Sequence, residues 1–441
     1  MSNQAASRLS KRRWPACERQ GKMRAAMNHQ LLSPYRVIES SAFIAAPLAG
    51  LTLAQFGADV IRIDMIGGGL DQRRMPCMPD TADGPGRSLY WTGLNKGKRS
   101  VAVDLRRPEG RALVQELVTA ADQAGLAGQQ GGVLLTNIGT PWLAHGLLAQ
   151  RRPDLVSCTI QGNADGSTAL DYTVNSASGY PAVTGGGSAQ RPVNHVLPAW
   201  DIACAYQAAF AIVAALNQRQ RCGQGAQLQL ALSDMAFATL SHLGVLAEAE
   251  LLGQERPSIG NHIYGAFGRD FATADGRRVM VAAVSAGQWA ALVRACGLAD
   301  AVAALQSRLG VDLADEAQRY AQREVLAAML EPWFAARPMA QAAAALDAAG
   351  ACWGPYRSVP ELLAQDPRVG LTNPVFEAHD TVGVGHHLAA GSAVRQPGEL
   401  RGVTAPAPVL GEHTDVVLAE VLGLSGKAIG ALHDQGLVAG P

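Results

Sequence analysis

The chain has 441 residues, 48% of them hydrophobic, so it can bury a large core and is expected to divide into two domains. Lys plus Arg and Asp plus Glu balance at 37 each, which leaves no global field to draw the protein to nucleic acid or to a membrane. Seven cysteines without a C-x-x-C pair argue against a disulfide framework or a zinc site, and no uninterrupted apolar run reaches the roughly 20 residues that cross a bilayer, so reduced thiols and a cytoplasmic location are expected.

Residues 1–27 are basic (Lys11-Arg-Arg13, Lys22, Arg24) and lack the apolar stretch of a secretory signal; they are expected to form a disordered extension ahead of the fold. Tyr35-Arg-Val-Ile-Glu39 reads as a strand. Pro47 to Phe56 has helical spacing and stops at Gly57, and Asp59-Val-Ile-Arg-Ile-Asp64 is a second strand. This βαβ unit implies a parallel, doubly wound sheet. The first turn, Ala45-Ala46-Pro47-Leu48-Ala49-Gly50, lacks G-x-G-x-x-G, so a nicotinamide or flavin dehydrogenase is not expected. Ser100–Leu105, Gly132–Thr136 and Leu155–Ile160 continue as strands, with a helix from Pro108 to Val118 between the first two. A long helix is predicted from about Ile202 to Arg221, then a half-exposed strand at Gln227–Leu232.

After Gly260 the texture changes. Tyr264–Phe271, Asp275-Gly276 and Val279–Ala283 read as a β-hairpin, and helices carrying Trp289 and Trp333 complete a second, smaller domain. From Cys352 onward a loop-rich return is expected, ending in a helix near 414–422.

Asp171 heads Asp171-Tyr-Thr-Val-Asn175 among apolar and small residues, with no Lys or Arg within ten positions. Such an acid is either a helix N-cap or a nucleophile or base, and local sequence leaves both roles open. Lys96, Lys98 and Arg99, with Arg73 and Arg74, form either a solvated turn or a set of phosphate ligands; no Walker sequence accompanies them. His195, His386, His387 and His413 have no metal-ligand spacing, so no metal site is read, and His195 taken alone reads better as a structural histidine than as a catalyst.

Ala46-Pro47, Phe56–Asp64, Asn95–Leu105, Pro108-Glu-Gly-Arg111, Asp171 eight before Gly179, Asp201, Gly223-Gln-Gly225 and Leu232-Ser-Asp234, in this order, resemble the class III coenzyme A transferases. The resemblance covers residues 35–420. It implies an interlocked homodimer of two threaded rings, each chain pairing a Rossmann-like large α/β domain with a smaller α+β domain. On that basis 28–225 would form the first part of the large domain, 226–345 a linker and the small domain, and 346–441 a return linker and the rest of the large domain. The catalytic aspartate aligns with Asp171. CoA, carried as part of the acyl-CoA substrate, is expected on Arg62, Arg73, Arg74, Lys96, Lys98 and Arg99, with no separate cofactor.

Within the family, Ile66–Asp71, Ile160–Asn163, Asp171–Asn175, Val193–Ile202, Ile259–Asn261, Tyr264–Phe271 and Cys352–Tyr356 are similar to the enzymes that move CoA between the two carboxylates of one mesaconate. That likeness implies intramolecular transfer through an aspartyl-CoA thioester, with Asn175, His195 and Arg269 as candidates for holding the diacid. Ile44 stands where formyl-CoA transferases have glutamine, and Gly260-Asn-His-Ile-Tyr264 replaces their Gly-rich loop, which argues against oxalate or formate. Leu170 stands where the related racemases place a histidine, which argues against racemisation. An intermolecular dicarboxylate CoA transferase and a non-catalytic CoA-binding module are the alternatives.

Overall fold

Seven short, mostly apolar segments assemble the main sheet: β1 (Arg36–Ser40), β2 (Asp59–Met65), β3 (Arg99–Val103), β4 (Val133–Thr136), β5 (Val156–Gln161), β6 (Ala226–Ala231) and, from the far end of the chain, β12 (Val438–Ala439). They are seen in a computed structural model that describes residues 30–33, 35–80, 84–122, 130–185, 191–397 and 404–441; the basic segment 1–27 lies outside these. The strand order is β12-β3-β2-β1-β4-β5-β6, with β1 to β6 parallel and β12 antiparallel to β3, so the sheet is mixed. The order reverses between β1 and β4. Asn137, just past β4, ties this switch point by exchanging two hydrogen bonds with Ala42, at 2.9 and 2.7 Å. Ligands of doubly wound sheets bind beyond the carboxyl ends of the strands at such a reversal.

Period-2 alternation sends successive strand residues to opposite faces. Val37, Val60, Leu135 and Val156 pack on one side with the helices Ala45–Gln55, Ala199–Cys222 and Leu232–His242. Ile38, Ile61, Leu134 and Val101 pack on the other with Pro108–Thr119 and Thr414–Leu422. Both faces are covered, which is why β1 to β5 are buried along nearly their whole length. The helix Ala199–Cys222 is long and apolar enough in composition to cross a membrane. Here Cys204, Ala205, Ala208, Ala209, Ile212 and Leu216 are spent on the core, several of them against the small residues Ala45, Ala46 and Ala49.

A second sheet holds β7 (Phe267–Ala272), β8 (Arg278–Ala283) and β9 (Cys352–Pro355), all antiparallel. The first two form the hairpin expected around Asp275-Gly276, where Gly276 takes a φ of 73° that a side chain disfavours. Helices between 286 and 349 pack on this sheet, and Phe271 stacks on Phe334 with ring centres 4.6 Å apart. Residues 226–231 are an edge strand of the large sheet, and β9 pairs with β8 in the second sheet. The return segment is more regular than expected. It contains the helix Val359–Gln365, a hairpin of β10 (Phe376–Thr381) and β11 (Gly385–Ala390), and a final helix Gly426–Asp434. The strong polarity of the hairpin, with His379 paired to His387 and Asp380 to His386, hides its alternation in the sequence.

Candidate active site

Asp171 is the first residue of the helix Asp171–Ala177 and is 2% exposed. It does not cap its own helix; there the Leu170 N–H donates to Thr173 Oγ1 at 3.0 Å. The carboxylate reaches a different helix. Asp171 Oδ2 accepts the Trp200 N–H at 2.6 Å and the Asp201 N–H at 3.0 Å, the second and third amides of Ala199–Cys222, whose preceding Pro198 offers no side-chain acceptor. The positive end of that 24-residue helix complements the acid. Asp171 Oδ1 is buried with no hydrogen-bond partner. One oxygen is anchored and the other is bare, an arrangement that holds a carboxylate in orientation while leaving an attacking lone pair.

Asn175 lies one turn further along and is fully buried. Its Oδ1 accepts the Trp200 indole N–H at 3.1 Å, and its Nδ2 donates to Asn194 Oδ1 at 2.5 Å. Asn194 in turn donates to the Tyr172 carbonyl at 3.2 Å. Asn175 therefore fixes Trp200 and the loop 191–197, and its side chain is occupied inside the protein. His195 follows Asn194 on that loop with its side chain exposed. Arg269 belongs to β7 in the second sheet, half-buried, with its guanidinium 5.5 Å from the Phe271 ring centre and its Nε unpartnered. The structure thus joins Asp171 and Asn175 through Trp200, whereas Arg269 is part of another core.

The six expected CoA cations have four kinds of surroundings. Arg62 donates to Asp64 (2.9 Å), Glu39 (3.2 Å) and Asp71 (3.2 Å), and Lys98 to Glu39 (3.0 Å), the Pro47 carbonyl (2.8 Å) and Asn95 (2.9 Å). Both are buried, and burial pushes the Lys98 ammonium down to about 8 against the pull of Glu39. Gly50 lies against this cluster, and a Cβ there would overlap the Glu39 carboxylate. Arg99 forks onto Asp59 and pairs with Glu420 at 2.7 Å. These three bind acids of their own chain: Glu39 of β1, Asp59 and Asp64 of β2, Asp71, and Glu420 of the helix Thr414–Leu422. Lys96, nearly buried, donates to the Ala390 carbonyl at 2.8 Å and ties down the β10–β11 hairpin. Arg73 is exposed and lines a cavity of about 440 Å³ with Gly67, Gln72, Arg87, Trp91, Val382 and Leu410, beyond the carboxyl end of β2. Arg74 does not line it; its guanidinium lies 4.8 Å from the Tyr90 ring centre and 5.5 Å from that of Phe43.

The family described as CoA-transferase family III matches residues 32–414. The chain belongs to that family. It is 46% identical over 412 residues to the 2-methylfumaryl-CoA isomerase of Chloroflexus aurantiacus, covering 93% of this chain and 98% of that one. It is 31% identical over 410 residues to a succinate–glutarate CoA-transferase of Agrobacterium fabrum, covering 88% and 95%. A crystal structure of a CAIB/BAIF family protein from Brucella suis superposes with a TM-score of 0.70 at 25% identity, over 88% of this chain and 99% of that one. The protein is therefore an enzyme with a CAIB/BAIF-type α/β fold.

Two residues of this family III enzyme enter the site without having been read as functional. Asp201 donates its backbone N–H to Asp171, and burial, followed by the Asp171 charge, pushes its own carboxyl up to about 7 while Arg74 opposes the shift. Tyr90 has a buried, unpartnered hydroxyl pushed up to about 12 by burial, with Arg74 opposing and Asp201 adding to the rise. Spacing could not have found either, since the surroundings of each come from distant segments. Among the described residues no group of three or more His, Cys, Asp or Glu could hold a metal ion.

Proposed function

We propose that this enzyme moves CoA between the C1 and C4 carboxylates of mesaconate, converting 2-methylfumaryl-CoA to 3-methylfumaryl-CoA through an aspartyl-CoA thioester on Asp171. The reading rests on the half-anchored Asp171 carboxylate, with Oδ2 fixed by two amides and Oδ1 buried and bare. The choice of acyl group follows from the Chloroflexus aurantiacus relative. Asp171 Oδ1 attacks the C1 thioester carbonyl, the C–S bond breaks, and CoA leaves as thiolate, giving a mixed anhydride. The thiolate attacks Asp171 Cγ and mesaconate leaves as a carboxylate. The diacid reorients, its C4 carboxylate attacks the new thioester, and the released thiolate attacks C4 and frees Asp171. One negative charge is handed on at each step and no proton moves. Covalent relay divides the exchange into steps that conserve the thioester, and burial of Asp171 protects both acyl intermediates from water.

CoA would place its phosphates at the Arg73-lined cavity and its thioester at Asp171. The active form would be an interlocked homodimer. Tyr206 and Phe210 on the helix Ala199–Cys222, Phe237 on Leu232–His242, and Leu251 and Leu252 on Val245–Leu252 are large apolar side chains exposed on one chain, as expected of a face covered by a second copy. The Agrobacterium fabrum relative favours a second reading, intermolecular transfer between dicarboxylates. Incubation with mesaconyl-C1-CoA and isotope-labelled free mesaconate, followed by chromatography, tests both. The proposal expects the C4 ester to form without label, because a diacid held against the thioester outcompetes free acid at effective molarities of about 10⁵ M or more. Label entering at the rate of isomerisation would establish the intermolecular reading, and no conversion would overturn both.

A further inference from the structure

Arg74 and Tyr90 are polar groups that the transfer steps above leave unused, and they lie in the electrostatic neighbourhood of Asp201, whose N–H binds Asp171. The Arg74 guanidinium is flanked by the rings of Tyr90 and Phe43, at 4.8 and 5.5 Å, and forms no ion pair among the described residues. Its charge acts on the Asp201 carboxyl, as does that of Asp171, and the Tyr90 hydroxyl shares the same neighbourhood with Tyr172. Two oxygens here, Tyr90 Oη and Asp171 Oδ1, are buried and unpartnered. A buried orphan hydroxyl on the ring that flanks an exposed, unpaired guanidinium calls for a polar ligand. Phe43 supplies an independent sign of function. It is the non-glycine residue among those described with a positive φ, 63°, and its N–H is held by Asp71 at 3.3 Å, itself locked to Arg62. Strain of this kind persists where the surroundings impose it, and here it sets an aromatic ring beside Arg74.

We propose that Arg74, positioned by Phe43 and Tyr90, receives the free carboxylate of the acyl chain while the reacting carbonyl faces Asp171, so that the site selects acyl groups bearing a second carboxylate. Stacking fixes the plane of a guanidinium and leaves its donor edge for bidentate pairing, which a lysine cannot reproduce. The inference rests on Asp171 being the acyl acceptor. One cation then serves both half-reactions, because whichever end of the diacid is not joined to sulfur or to Asp171 is a carboxylate.

The test uses the full-length enzyme with CoA bound, and compares competitive inhibition by succinate and by butyrate, which has the same number of carbons and lacks the second carboxylate. The wild type should bind succinate at least about 10-fold more tightly than butyrate, as a charge-assisted pair of 1.5–3 kcal/mol implies. Arg74→Met, which keeps the stem over the rings, should bring the ratio to about one and raise the KM for mesaconyl-CoA roughly 10- to 100-fold. Calorimetric affinity for CoA alone should not change. Arg74→Lys, which also serves if the methionine variant does not fold, should give an intermediate ratio. A wild type without preference, or an Arg74→Met enzyme that keeps its preference while losing CoA affinity, would overturn the inference, the latter by making Arg74 a phosphate ligand like its neighbour. A preference lost on mutation in an enzyme that does not isomerise mesaconyl-CoA would support the inference and defeat the proposed reaction.

Discussion

Replacing Asp171 by alanine should remove activity and also loosen the start of the long helix. Asp171 Oδ2 accepts the Trp200 and Asp201 amides at 2.6 and 3.0 Å, and Trp200 is only 6% exposed, so water cannot replace both bonds. Losing a helix cap costs about 0.5–2 kcal/mol, and a hydrogen bond to a charged group is worth about 1.5–3 kcal/mol. Against this, removing the bare, buried Oδ1 relieves a desolvation cost. A net loss of about 2 kcal/mol is expected. Asp171→Asn keeps an oxygen acceptor for both amides and should lose about half as much, since neutral acceptors form weaker bonds. Exchange activity should fall by about 10⁴-fold or more in both variants, as the nucleophile is absent from each. Denaturant unfolding, with chromatography of the two CoA esters on freshly prepared protein, measures the two effects separately. An alanine variant keeping a tenth of wild-type exchange would refute the nucleophile, and one as stable as wild type would refute the capping role.

Lys98→Met should leave Glu39 buried beside Arg62 alone and cost about 3–5 kcal/mol, read as a fall in the denaturant midpoint; a raised KM without lost stability would return Lys98 to the substrate. Burial, then the Asp171 charge, raises the Asp201 carboxyl from 3.8 to about 7 on folding, so between these values the folded protein holds a proton that the unfolded chain has released. Stability contributed by this group is therefore lost as pH rises through that window. Asp201→Asn should gain on wild type across the same window in unfolding experiments, and parallel pH profiles would refute the assignment. Arg73→Ala should raise the KM for acyl-CoA with little change in kcat, because a phosphate contact far from the reacting carbon binds ground and transition states alike; an unchanged KM would place CoA elsewhere.

The periodic parts of the chain are legible in the sequence. Tyr35–Glu39, the helix after it and Asp59–Asp64 fall within a residue or two of β1, Ala45–Gln55 and β2, because alternating burial on a two-sided sheet leaves a local pattern. The Asp275-Gly276 hairpin was equally plain, since its turn needs a positive φ that glycine supplies. Asp171 stood out because an acid among small apolar residues has few structural uses. Its two readings, cap and nucleophile, are compatible in the structure: one oxygen caps a helix that begins 28 residues later, and the other is left bare.

What the sequence determined by itself is therefore local: the strands and helices, the turn residues, and the presence of one costly carboxylate. Which charges point inward depended on tertiary structure. Lys98 and Arg62 look like surface cations until β1 brings Glu39 between them, 59 and 23 positions away, and Asn175 looks available until Trp200 folds over it. A hydrogen bond or ion pair depends on distance in space, and sequence separation carries almost no information about that distance once it exceeds a helical turn. Hydrophobic periodicity is written into neighbouring residues, whereas the electrostatic partners of this site come from segments that only the fold brings together.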